Sequence, residues 1–115
     1  MIEKTIIQYL QAAQIPGIGS HIYAETPAEN IPDNFVLIKR TGGSMADYIR
    51  TYNVYTETVG KDQLTAIRNH EAVIEAMLQI RDHTTIMACR LNSDYNATTT
   101  RTKDYRFQAL WQITE

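Results

Sequence analysis

A single cysteine, Cys89, stands in a chain of 115 residues, so no intrachain disulfide can form. That agrees with a reducing compartment. The chain also lacks any long apolar run. Its opening, "MIEKTIIQYL", carries Glu3 and Lys4 and reads as neither a signal peptide nor a membrane span. A basic excess is missing too: 11 Lys and Arg stand against 13 Asp and Glu, for a net charge of −2 and a pI of about 5.9. This argues against a dedicated nucleic-acid binder, whose main attraction to phosphate would come from a basic surface, and leaves room only for a local basic patch. Glycines are few, and the one pair, Gly42-Gly43 in "RTGGSM", falls in no phosphate-binding pattern. No lysine or helix follows it, as a P-loop requires, and the three spaced glycines of a dinucleotide fingerprint are absent. The expected role is a hairpin connection.

Catalytic constellations are missing as well. "HEAVI", His70 to Ile74, falls one ligand short of the H-E-x-x-H zinc motif, because Ile74 occupies the second histidine position. His70 lies within an apolar arc, so a buried or interface histidine with a local hydrogen-bond partner is expected. Cys89 sits in an apolar strand and should pack as a small hydrophobe. No serine lies in a nucleophile elbow, and "KDYRFQAL" lacks the glycines of an RNA-binding strand. "NAT" at Asn96 to Thr98 matches a glycosylation acceptor by chance, given no secretory signal. No enzyme, metal or cofactor is expected. A ligand site, if one existed, would draw on His70, Tyr52 and Arg90.

What remains is a good globular composition, 43% hydrophobic and 21% charged, at a length that suits one domain over 1–115. Ile2, Ile6, Tyr9, Leu10 and Ala13 form one helical stripe over residues 2–14, closed by Pro16-Gly17. "HIYAET" (21–26) suggests a short strand, followed by a loop rich in breakers. "FVLIKR" (35–40) predicts a strand buried on both faces. Residues 48–59 carry tyrosine, threonine and valine, which favour strand. Asp62 is a helix N-cap candidate. The helix after it is expected to reach about residue 81 and to span about 30 Å, with an apolar arc wide enough to meet both a sheet and the first helix. "TIMACRL" (85–91) reads as a strand, 92–104 as a polar loop, and Tyr105, Phe107, Ala109, Trp111 and Ile113 as the apolar face of a last strand. Short connections favour antiparallel pairing. The expected fold is α+β: two helices on one face of a mainly antiparallel sheet of four to five strands.

Two features suggest contacts with other molecules. Residues 48–59 have polar groups on both faces, as in a strand that runs past its own core, with Arg50, Tyr52 and Tyr55 exposed to a partner. The loop 92–104, with Tyr95, Arg101 and Lys103, is long for a compact domain and reads as an arm that orders on assembly.

Five segments in order, "IEKTIIQYLQ", "IPGIGSHIYAETP", "FVLIKRTGGS", "AIRNHEAVIEAML" and "DYRFQALWQIT", make the chain resemble the small tail terminator proteins of long-tailed bacteriophages, also labelled minor capsid or tail-completion proteins. The likeness runs along nearly the whole chain. It implies a homo-oligomeric ring, hexameric in that family, that caps the tail tube at its head-proximal end and stops its growth. The implied partners are further copies of the chain, the tail tube protein and head–tail connector or neck proteins, with neither nucleic acid nor membrane. The implied location is the virion, assembled in the bacterial cytoplasm. Other neck or tail-completion proteins share these cues and remain an alternative, as do a small α+β ligand-binding domain and an adaptor that binds other proteins through a sheet edge.

Overall fold

The computed structural model describes residues 1–99 and 103–115. Its elements are α1 (Ile2–Ala12), β1 (Ile22–Tyr23), β2 (Phe35–Ala46), β3 (Ile49–Gly60), α2 (Gln63–Met77), β4 (Ala88–Asn96) and β5 (Tyr105–Thr114), with a short 3₁₀ turn at Ile80–Asp82. The strands form one sheet in the order β1-β2-β3-β5-β4. β2–β3, β3–β5 and β4–β5 pair antiparallel, and only the two-residue β1 pairs parallel, with β2. The α+β expectation holds.

Alternation in β3 and β5 sends Tyr52, Val54, Ala109, Trp111 and Ile113 to one face of the sheet, where they join Ile2, Ile6 and Leu10 of α1 and Val73 and Met77 of α2 in a single buried cluster. Both helices therefore cover the same face. Trp111, 1% exposed, is the largest side chain fully enclosed there, and its indole N–H donates to the Thr56 hydroxyl at 3.1 Å. β2 is apolar on both sides, as expected. Val36 and Ile38 face the helices, while Phe35 and Leu37 form a second small cluster with Val59 on the outer face, against Tyr23.

Four features differ from the sequence expectation. First, α2 stops at Met77 and spans about 22 Å. The chain then tightens into the 3₁₀ turn, and Thr84 Oγ1 closes it by donating to the Ile80 carbonyl at 2.8 Å. Second, the apolar arc of α2 is only partly covered: Leu64 is 76% exposed. Third, β4 begins and ends later than expected, so Asn92 to Asn96 are strand and not loop. Their backbones pair with β5, and an edge strand needs no apolar side chains to do so. Fourth, Gly42-Gly43 is not the hairpin connection. β2 continues through both glycines to Ala46, and the turn is Asp47-Tyr48, between the paired residues Ala46 and Ile49. Gly43 serves the strand itself, since a Cβ there would lie 2.8 Å from the Thr51 carbonyl oxygen.

Asp47 and Tyr48 have φ of 50° and 65°, the left-handed pair of a type I′ turn. Aspartate tolerates this, but tyrosine does so at a cost of about 1–2 kcal/mol. Tyr48 is 98% exposed, so no contact within the chain offsets that cost. Tyr48→Gly should stabilise the isolated protein by about 0.5–1 kcal/mol. Chemical denaturation would show this, and an unchanged or lower midpoint would contradict it.

The α2 cap matches expectation. Asp62 Oδ2 accepts from the Thr65 backbone N–H at 3.0 Å and from its hydroxyl at 2.9 Å. These bonds, the backbone one first, hold the Asp62 carboxyl below its ordinary range. A depressed folded-state pKa means the contribution is complete above the ordinary carboxylate range and fades as pH falls through the lowered value. Asp62→Asn keeps a capping oxygen but cannot titrate, so its loss of stability between pH 5 and pH 3 should be shallower than wild type. Parallel slopes in a thermal melt series would rule the assignment out.

Candidate functional site

Three surfaces concentrate chemistry. The first is the tip of the β2–β3 hairpin. β5 ends opposite Thr51, so Ser44 to Arg50 continue as a two-stranded arm beyond the five-stranded sheet, and every residue in it is exposed. The molecule is elongated accordingly, 45 × 27 × 25 Å. At the root of the arm the Arg40 and Arg50 guanidinium groups lie 5.1 and 5.7 Å from the Tyr52 ring centroid. Arg50 donates to the Tyr52 hydroxyl at 3.1 Å, and Arg40 is paired with Glu3 at 2.9 Å. The two glycines leave a hollow of about 400 Å³ beside these groups.

The second surface is the outer face of the sheet. Arg106 Nη1 donates to Glu57 Oε1 at 2.6 Å, and Arg106 Nε to Asp104 Oδ1 at 3.0 Å. Gln108 Nε2 donates to the other Glu57 oxygen, and Tyr95 donates to Gln108 Oε1. Glu57 is buried at 8% exposure, which its partners make tolerable. Burial lowers the affinity of Arg106 for its proton, but its hydrogen bonds to Asp104 and Glu57 outweigh that, leaving its pKa raised. Tyr55 lies alongside, its pKa raised by burial first and then by Glu57 and Tyr95.

β4 delivers Tyr95 to this face through a bulge. Register shifts by one between Leu91 and Ser93, leaving Asn92 without an opposite residue. Cys89 and Leu91 point toward the helices, and strict alternation would send Tyr95 there too. The extra residue turns Tyr95 outward and Asp94 inward. Asp94 Oδ1 then lies 2.6 Å from Nε2 of His70, which is 4% exposed and 5.8 Å from the Phe107 ring. His70 thus has the local partner that its sequence context suggested, while its Nδ1 is buried without one.

The third surface is a groove of about 900 Å³ between the helices, lined by Tyr9, Ala12, Ala13, Ile15, Ala72 and Ala76 together with threonine and glutamine side chains, with the exposed Glu75 and His83 also along it. Tyr9 donates to the Ala76 carbonyl at 2.7 Å and stacks on His83.

Of the contact residues expected from sequence, Arg50 and Tyr52 come together at the arm, though the Tyr52 ring is enclosed at 7% exposure. Tyr55 and Tyr95 come together on the outer face. Lys103 is exposed, and Arg101 lies outside the described residues. His70, Tyr52 and Arg90 do not converge. His70 sits near Phe107, which pairs with Thr58, six residues along β3 from Tyr52, or about 20 Å. Arg90 pairs with Gln112 and so faces away from both. Burial drives the Cys89 thiol up to about 12, consistent with a packing role. Among the described residues no three His, Cys, Asp or Glu side chains are placed to hold a metal ion. Sequence reading missed Glu57, Arg106 and Gln108 as a network, and Met45, Tyr48 and Ile49 as an exposed tip. The polar residues on the outer face of residues 48–59 were the available signal for the first.

No family model matches the chain, and no curated protein matches it in sequence. Its fold does match a solved structure. A chain described as part of the virion of a native gene transfer agent (GTA) particle superposes with a TM-score of 0.74 at 11% identity, over 98% of this chain and 92% of that one. At that identity the likeness is one of fold.

Proposed function

We propose that this protein is a structural component of a phage-like particle, a tail terminator that forms a ring on the end of the tail tube, ends its growth and helps join tail to head. The observation that carries the reading is the end-to-end fold match with a chain of a GTA virion, at nearly equal length. The sequence resemblance to tail terminators points the same way, and so does the dispersal of the one candidate ligand-site constellation. In this reading copies of the chain contact one another around a ring, hexameric by the family resemblance, through heterologous surfaces that close by rotation. The outer sheet face with Tyr55 and Tyr95, together with Arg101 and Lys103 in the adjoining segment, contacts the tail tube. Connector or neck proteins bind the opposite side of the ring. The site of action is the head-proximal end of the tail.

Electron microscopy of particles produced without this gene tests the reading. Overlong tails, restored to normal by the intact gene, are expected. Tails of normal length that fail to join heads would assign the chain to the neck. Normal, infectious particles would remove the virion role altogether.

A further inference from the structure

We infer that the Ser44–Arg50 arm of one copy seats in the groove between α1 and α2 of a second copy. The inference deepens the ring reading and rests on it for closure. The contact itself follows from features of one chain.

The arm is built for enclosure. Met45 faces the helix side of the hairpin, Ile49 the opposite side, and Tyr48 caps the end; they are 58%, 51% and 98% exposed. Apolar groups on both faces suit insertion better than lying on a flat surface. Tyr48 also holds a left-handed backbone conformation that favours glycine, with nothing in its own chain to offset the strain. Such strain persists where it serves a contact.

The groove supplies that contact. Ala12, Ala13, Ala72 and Ala76 line it and leave room above the Tyr9 ring, whose hydroxyl bridges to the Ala76 carbonyl, for the larger side chains of an arm. Charge complements shape. Arg50, at the root of the arm, and Glu75, exposed along the groove, both lack an ion-pair partner among the described residues. An arm seated in the groove brings opposite charges to its rim. Arm and groove are different surfaces of the chain, so the contact is heterologous and each copy can both give and receive one.

Disulfide trapping tests the contact in a Cys89→Ser background. Asp47→Cys protein, which keeps Tyr48, mixed with Ala12→Cys protein should give a covalent dimer on oxidation, and the double variant a ladder of oligomers; either single variant alone should give far less. Arg50→Glu or Glu75→Arg should each reduce trapping about threefold, and the two together should restore it. Tyr48→Gly should melt at a higher temperature than wild type yet self-associate less in sedimentation velocity. Cys89 packs against the core, where serine is a near-isosteric change, and the other positions are exposed or line the open groove, so the variants should fold. No mixed dimer, or a charge reversal that fails to restore trapping, overturns the arm-in-groove contact even if the particle phenotype supports a terminator. Normal particles without the gene would overturn the ring reading, while a trapped dimer would leave the contact standing.

Discussion

Replacing Trp111 by alanine should destabilise the protein by about 3–5 kcal/mol, a fall in Tm of more than about 10 °C. Trp111 fills the space between the middle of the sheet and both helices, and it is 1% exposed. Its removal opens a cavity bounded by Val54, Ala109 and the helix side chains. It also leaves the Thr56 hydroxyl, 0% exposed, without its indole donor. Trp111→Phe separates the two losses. It keeps most of the apolar volume and should cost less than half as much, and adding Thr56→Val should recover part of the remainder by removing the stranded hydroxyl. Native stability amounts to only about 5–15 kcal/mol, so the alanine variant should be substantially unfolded at modest urea. A Tm within about 3 °C of wild type would show that the tryptophan is not the keystone of this core.

The second large effect concerns the outer face. Arg106→Met should cost about 2–4 kcal/mol, because it leaves Glu57 and Asp104 close together without a cation and Glu57 has little access to water. An exposed ion pair of the same composition would contribute under about 1 kcal/mol. The difference is burial, so the measurement discriminates. Replacing both charges, Glu57→Leu with Arg106→Met, should restore much of the loss, since well-packed apolar residues often match a buried pair. Urea denaturation of the two single variants and the double variant gives the coupling directly. A cost below about 0.5 kcal/mol for Arg106→Met would mean that the network is effectively solvated.

These two sites mark how far the sequence could be read. Trp111 was visible because every second residue from Tyr105 to Ile113 is apolar, and a period of two with one face apolar throughout, broken on the other only by Leu110, fixes which side chains point inward. The α1 stripe, the doubly buried Phe35–Ile38 segment and the Asp62 cap were visible for similar reasons: each is a local pattern with a local cause. The Glu57–Arg106–Gln108 network was not, because it joins residues 49 and 51 positions apart whose meeting depends on the β3–β5 register. The hairpin turn was misplaced because its chemistry is atypical. A glycine pair was available nearby, while the true turn uses a tyrosine where glycine is favoured. β4 was cut short because its polar half is held by backbone pairing, which leaves no trace in hydropathy. The early end of α2 was equally silent, since Leu78 and Ile80 continue its apolar spacing while the backbone departs from it.

Asn92 and likewise Thr41, which stands without an opposite residue between the pairs Arg40–Val54 and Gly42–Asn53 of β2 and β3, bear on how the length of this chain can change. Each is one residue in excess on its strand, and the sheet faces on either side are already matched across it. A chain one residue shorter at position 92 would still turn Asp94 toward His70 and Tyr95 toward Gln108. A deletion in β3 or β5, where every residue has an opposite number, would turn one half of the strand inside out. Relatives of this protein that differ by single-residue gaps within the sheet should therefore carry them at these two positions. A gap elsewhere in a strand would need a compensating insertion in its neighbour.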